Sequence, residues 1–338
     1  MVALGVPSGG TADERYRVSR GAGAGERVVG RRFSNTLVAT LGRIRWNNVV
    51  ALGLIHGLAC LALLPWFFSW TGVALALLGI YGFGSLGINI GYHRLLTHRG
   101  LVCPRWLEYS LAILGTCCAQ DSPPLWVAIH RKHHQTSDSD ADPHSPVGHV
   151  LWGYIGWVLV KQDDLRPKQL LDRYARDLMR DPFYAWLERS DNWIKVVIAS
   201  WLVFLALGTM AALALGSDIN AATRFGFSVM IWGGLVRTVL VLQITWVGNA
   251  MHHLWGYRNY DTPDNSRNNV LVALMSNGEG WHNNHHADPQ SANHGHKPGE
   301  FDMSWQTIRL LMKLGLARDV VLPSTPLARA CRADAQRA

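Results

Sequence analysis

Charge is scarce in this 338-residue chain: Asp, Glu, Lys and Arg together make up 17%, against ~25% in an ordinary soluble domain. Cysteine is scarce too. Cys60, Cys103, Cys117, Cys118 and Cys331 form no CxxC pair, which excludes a Cys-based zinc motif and argues against a disulfide framework. No HExxH occurs, so a zinc-peptidase arrangement is absent. A single ExxH, from Glu279 to His282, falls short of the pair that soluble di-iron carboxylate bundles need. No secretory signal opens the chain. The net charge is +8, yet no nucleic-acid-binding motif accompanies it, so nucleic acid is not expected as a partner.

What is present is apolar sequence in blocks, with 15 tryptophans. Four stretches have the ~20 mostly apolar residues needed to cross ~30 Å of hydrocarbon: Val49 to Phe68, Thr71 to Tyr92, Trp193 to Leu215 and Phe225 to Val247. All but two of the 32 Lys and Arg, Arg224 and Arg237, fall in the N-terminal segment, in 94–195 or in 258–337. With four spans these segments share one side, and the positive-inside rule makes it cytoplasmic, with both termini there. The chain therefore reads as an all-α integral membrane protein with a cytoplasmic helical cap. The expected organisation is a basic disordered tail over 1–40, a membrane domain over 41–320 and a C-terminal tail over 321–338. Two shorter apolar stretches, Leu107–Ala119 and Val147–Val160, read as helices lying along the membrane surface. The charged segment 161–190 reads as helical and solvated.

The chain has 15 histidines, and most are clustered. They form an HxxxxH pattern at His93 and His98, HxxHH patterns at His130-His133-His134 and His282-His285-His286, and a pair, His252-His253, after the fourth stretch. Positions i, i+3 and i+4 share one helix face, so each HxxHH can aim three imidazoles at one place. His93 and His98, five apart, diverge by about 140° on an α-helix. His93 ends the second span and His253 follows the fourth, so all clusters can converge under the cytoplasmic membrane face. Eight or nine imidazoles exceed the capacity of one ion, which implies two. Neutral imidazole suits iron, zinc, copper or nickel. A transporter would need ligands inside the spans along a path, but the spans hold little beyond His56, Asn89, Arg237 and Gln243.

Four segments carry a family resemblance: Gly91-Tyr-His-Arg-Leu-Leu-Thr-His-Arg99; His130-Arg-Lys-His-His134 with Ala141-Asp-Pro-His144; Asn249-Ala-Met-His-His253; and Gly278-Glu-Gly-Trp-His-Asn-Asn-His-His286. In this order they resemble the integral-membrane fatty acid desaturases, in the acyl-CoA branch, over about residues 48–318. The resemblance implies a dinuclear iron centre held by His93, His98, His130, His133, His134, His253, His282, His285 and His286. Asn249 would reach a metal through water, and its four-residue offset selects His253 over His252. It also implies O2 as co-substrate and a cis double bond in a long fatty acyl chain, carried by CoA, a carrier protein or a lipid. Carbons 9 and 10 of an acyl-CoA are the expected position. Trp126, Thr245 and Trp246 match positions near the substrate tunnel. A separate electron-transfer protein of ferredoxin type, with its reductase, is the expected donor, and the bacterial inner membrane the expected location. Two positions depart from the pattern: Asp140 stands where the family often has His, and Lys297-Pro298 where similar bacterial sequences usually carry a Trp pair. The same boxes also serve lipid or alkane hydroxylation, which substrate positioning would decide.

Overall fold

The computed structural model describes residues 43–163, 165, 167–329 and 331; the basic tail expected over 1–40 and the last residues of the expected C-terminal tail lie outside them. Among the described residues there is no strand, only isolated bridges such as Val102 with Arg318. Four helical runs are long and apolar enough to cross a membrane: Trp46–Leu63, Trp70–Thr97, Pro182–Ala214 and Ile219–Met251. Only 6% of the first run's apolar window and 17% of the third's is buried inside the protein. Leu63 and Leu215 stand almost fully exposed, and Leu78 is largely exposed. Such surfaces need an apolar solvent, and this is a membrane protein.

Two of these runs continue beyond the expected spans. The second run has 28 residues and the fourth 33, against the ~20 that suffice to cross a bilayer. Their C-terminal turns can therefore project past the hydrocarbon and carry His93 and the approach to His253. The third run bends at Ser190 and Asp191, whose φ values of 50° and 52° are left-handed.

The second run is α-helical to Gly79 and then π-wound from Ile80 to Thr97. Hydrogen bonds from i to i+5 stack residues five apart, and the amide of His98 donates to the His93 carbonyl at 3.1 Å. The 140° divergence expected of these two histidines is therefore absent: their rings lie 4.8 Å apart between centroids.

The stretch Leu107–Ala119 does not lie along the membrane surface as expected. It forms the helix Arg105–Thr116, which packs antiparallel on the second run. A side chain at Gly87 would sit 2.3 Å from the Gly115 nitrogen, so only glycine allows this approach. The helix ends on Arg237, midway along the fourth run, whose Nη1 donates to the Cys117 carbonyl at 2.7 Å. A cation there complements the negative end of the helix dipole. The segment Val147–Val160 holds one π turn, Trp152–Gly156, and the short helix Trp157–Leu159. The charged segment 161–190 is not fully solvated: Leu165, Leu170, Leu171 and Ala175 are buried against Ala128 and brace the helix Pro123–Thr136 from behind.

Candidate metal centre

Two local helices carry the HxxHH boxes. Pro123–Thr136 starts on Ser122, whose hydroxyl accepts from the Leu125 amide at 3.2 Å, with proline in its first turn. His282–Ala287 is six residues long. Neither box delivers three imidazoles to one point, as the spacing had predicted. On an α-helix i+4 lies about 40° to one side of i and i+3 about 60° to the other. The structure divides each box on that line. His130 and His134 join His93, His98 and His285 in a group of five; His282 and His286 join His133 and His253 in a group of four. Within each group the candidate ligand nitrogens all lie within 4.8 Å of one another. The structure thus brings together all nine histidines, and each box contributes to both groups. His252 belongs to neither: it is buried and its ring lies on that of His282 at 4.5 Å.

Carboxylates fix the rings from behind. Nδ1 of His93 lies 2.6 Å from Glu279, Nδ1 of His133 3.0 Å from Asp142, Nδ1 of His253 2.9 Å from Asp138 and Nδ1 of His286 2.6 Å from Asp264. Burial pushes the Asp138 carboxyl up, but the hydrogen bond and charge of His253, with hydrogen bonds from Asn265 and Ser145, together lower it to about 2. Asp142 and Asp264 fall below the usual carboxylate range through His133 and His286, again against burial. Glu279 is held low by Arg94 and His93. An ionised carboxylate only accepts, so these four Nδ1 atoms carry the proton and the four Nε2 atoms present lone pairs inward. Sequence reasoning had not assigned these acids a role. Asp142 and Glu279 did lie inside the quoted motifs; Asp138 and Asp264 had no such signal.

The inner nitrogens crowd together. Nε2 of His285 lies 3.0 Å from Nε2 of both His93 and His134, and the pairs His130–His134 and His253–His282 close to 3.1 Å between Nε2 atoms. The Nε2 atoms of His98 and His286 are buried with no hydrogen-bond partner. Facing lone pairs repel unless a cation lies between them. Burial and the neighbouring imidazoles push His98, His130, His134, His282 and His285 well below the usual imidazole value, and His286 to about 4. His133 alone moves up, because Asp142 outweighs its burial. A largely neutral, inward-facing imidazole set fits two metal ions, one per group.

One apolar cavity of about 510 Å³ reaches this cluster. Its lining includes His93, His130 and His282 together with Asn249, and with Trp126, Thr245 and Trp246, the three residues matched to the tunnel. Asn249 stands at the cavity wall. Gln120, which sequence reasoning had missed, organises this wall. Its Nε2 donates to the Thr245 hydroxyl at 2.9 Å, and its Oε1 accepts from the Trp126 indole at 3.3 Å. The only hint in the sequence is an amide directly after the apolar stretch that ends at Ala119. His56 donates from Nδ1 to the Leu52 carbonyl (2.8 Å) and accepts at Nε2 from the Gln243 amide (3.0 Å), away from the cluster.

The chain matches the family model described as fatty acid desaturase over residues 64–314. It is 40% identical to an sn-2 palmitoyl-lipid 9-desaturase of Nostoc sp., over 82% of this chain and 91% of that one. It is 39% identical to an sn-1 stearoyl-lipid 9-desaturase of Synechocystis sp., over 82% and 80%. It is 36% identical to an icosanoyl-CoA 5-desaturase of Limnanthes douglasii, over 83% and 75%. A helical membrane protein with nine converging histidines and an apolar cavity ending on them, matched by these relatives over four-fifths of its length, belongs to the fatty acid desaturase family.

Proposed function

We propose that residues 41–320 form an O2-dependent desaturase that places a cis double bond between carbons 9 and 10 of a long saturated acyl chain. The observation that carries this reading is the cavity: an apolar space lined by Trp126, Thr245 and Trp246 whose inner end is His93, His130 and His282. The resemblance and the names of the two lipid 9-desaturases support the position. Two iron ions, bound by the nine histidines with Asn249 alongside, would supply the oxidising power: O2, two electrons and two protons take up two hydrogens from neighbouring carbons and leave two waters.

The chain's own residues do the rest. The four carboxylates hold the proton on Nδ1 and so keep Nε2 free as ligand. The wall built by Gln120 holds the acyl chain at a fixed depth, and the apolar lining keeps bulk water from the reacting carbons. Electrons come from a separate carrier of ferredoxin type with its reductase. The excess of Lys and Arg on the histidine side supports a cytoplasmic site in a bacterial inner membrane. What carries the acyl chain depends on how the cavity opens.

The test is expression in cells unable to make unsaturated fatty acids, followed by mass spectrometry of their lipids. Loss of two hydrogens, one each from carbons 9 and 10, is expected, with about two irons per chain in the purified protein. Gain of one oxygen, or activity at less than one iron per chain, would overturn the reading.

A further inference from the structure

Part of the cavity wall faces outward. Leu54 and Leu58 of the first membrane run and Ile194 and Ile198 of the third line the cavity, yet Leu54 is 59% exposed and Ile198 47%. These are the two runs least covered by protein. Their free surfaces face lipid if the helices span a bilayer. The space that ends on His93, His130 and His282 therefore extends to the lipid-facing flank between the first and third runs.

Charge at this opening bears on what the chain is attached to. Among the described residues the lining has no lysine or arginine; its charged members are Asp121 and Glu279. Coenzyme A carries several phosphates, which proteins meet with basic side chains and their charge-assisted hydrogen bonds. The lining also holds Asn47, which is exposed, and Asn48, and Arg45, close enough to influence Asp121, stays outside the lining. Trp46 and Trp193 lie in the first turns of the helices Trp46–Ala59 and Asn192–Ala214 that flank the opening, and tryptophan favours headgroup level.

We propose that this opening is a lateral portal through which an acyl chain still esterified to a membrane glycerolipid enters from the bilayer. The proposal rests on the desaturase reading and names its substrate class. A lipid entering sideways leaves its headgroup at the interface and needs no phosphate pocket in the cap.

Purified iron-loaded protein with reduced ferredoxin is given distearoylphosphatidylglycerol vesicles or, separately, stearoyl-CoA in lipid-free detergent. Vesicle lipid should be desaturated at least about tenfold faster. A phospholipid with a diazirine on its acyl chain should label peptides containing Leu54 or Ile198 on irradiation. The double variant Leu54→Trp, Ile198→Trp should lose the labelling and about tenfold of the lipid turnover while keeping its iron. Leu207→Trp, comparably exposed on the third run but outside the lining, should keep both. Faster turnover of stearoyl-CoA, absence of labelling, or a double variant that labels and turns over lipid like the wild type overturns the portal. No double bond on either substrate sinks the desaturase reading instead, and the labelling still decides the portal.

Discussion

Nδ1 of His93 lies 2.6 Å from Oε2 of Glu279, and Glu279 is itself held by Arg94 at 2.8 Å. One edge of the imidazole is thereby committed as a donor, and the other edge faces His285 as an acceptor. His253 with Asp138 and His286 with Asp264 repeat the arrangement in the other group. The ring that meets a cation is aimed in advance by an acid on its far side.

Glu279→Gln should weaken iron binding by about 10- to 100-fold, the usual cost of losing such a partner. The amide can still accept from Nδ1 but brings no charge, and Arg94 loses one of its two anions. Titration of bound iron against a chelator measures this; an unchanged affinity would refute the role.

His285→Ala should abolish turnover and bound iron together, since the fully buried His285 ring touches both His93 and His134. His149→Ala, at an exposed position outside both groups, should keep most of each. Full activity in His285→Ala would contradict the assignment.

Gln120→Leu should keep iron but disturb the product. The Trp126 indole loses its acceptor, and an unsatisfied buried donor costs about 1–3 kcal/mol. With the wall loosened, the chain is held less firmly in depth. We expect slower turnover and a mixture of double-bond positions, read by mass spectrometry of derivatised products. A single unchanged position at the wild-type rate would show that Gln120 does not set the depth.

Gly87→Ala should destabilise the protein by about 1–3 kcal/mol, because the new methyl meets the backbone of Gly115. Gly53→Ala in the first membrane run meets nothing within 4 Å and should be neutral or slightly stabilising. Thermal unfolding in detergent compares the two.

The histidine clusters and four membrane runs were legible because both are local signals, short spacing and long apolar stretches; the choice of nine histidines, with His253 over His252, came from the family resemblance. How the histidines are shared was not legible. His133 and His285 cross to the opposite group from their box partners, a consequence of three-dimensional placement that spacing alone leaves open. The pairing of His93 with His98 depends on π winding, which an α-helical period cannot express. Asp264 reaches His286 from 22 positions away and Gln120 reaches Thr245 from 125, and such contacts leave no periodic trace. The inward course of Arg105–Thr116 did have a sign, in retrospect: an arginine inside the fourth apolar stretch needs acceptors, and the end of a helix offers them.

The acids behind the imidazoles also set an electrical balance. Arg94 and Asp302 offset each other, which leaves Asp138, Asp142, Asp264 and Glu279 as four acids around the nine imidazoles. Two divalent ions would bring this poorly hydrated box to zero. Any further positive charge there would go uncompensated, so if two iron ions were bound by the nine histidines, these acids would favour the reduced pair over the oxidised one.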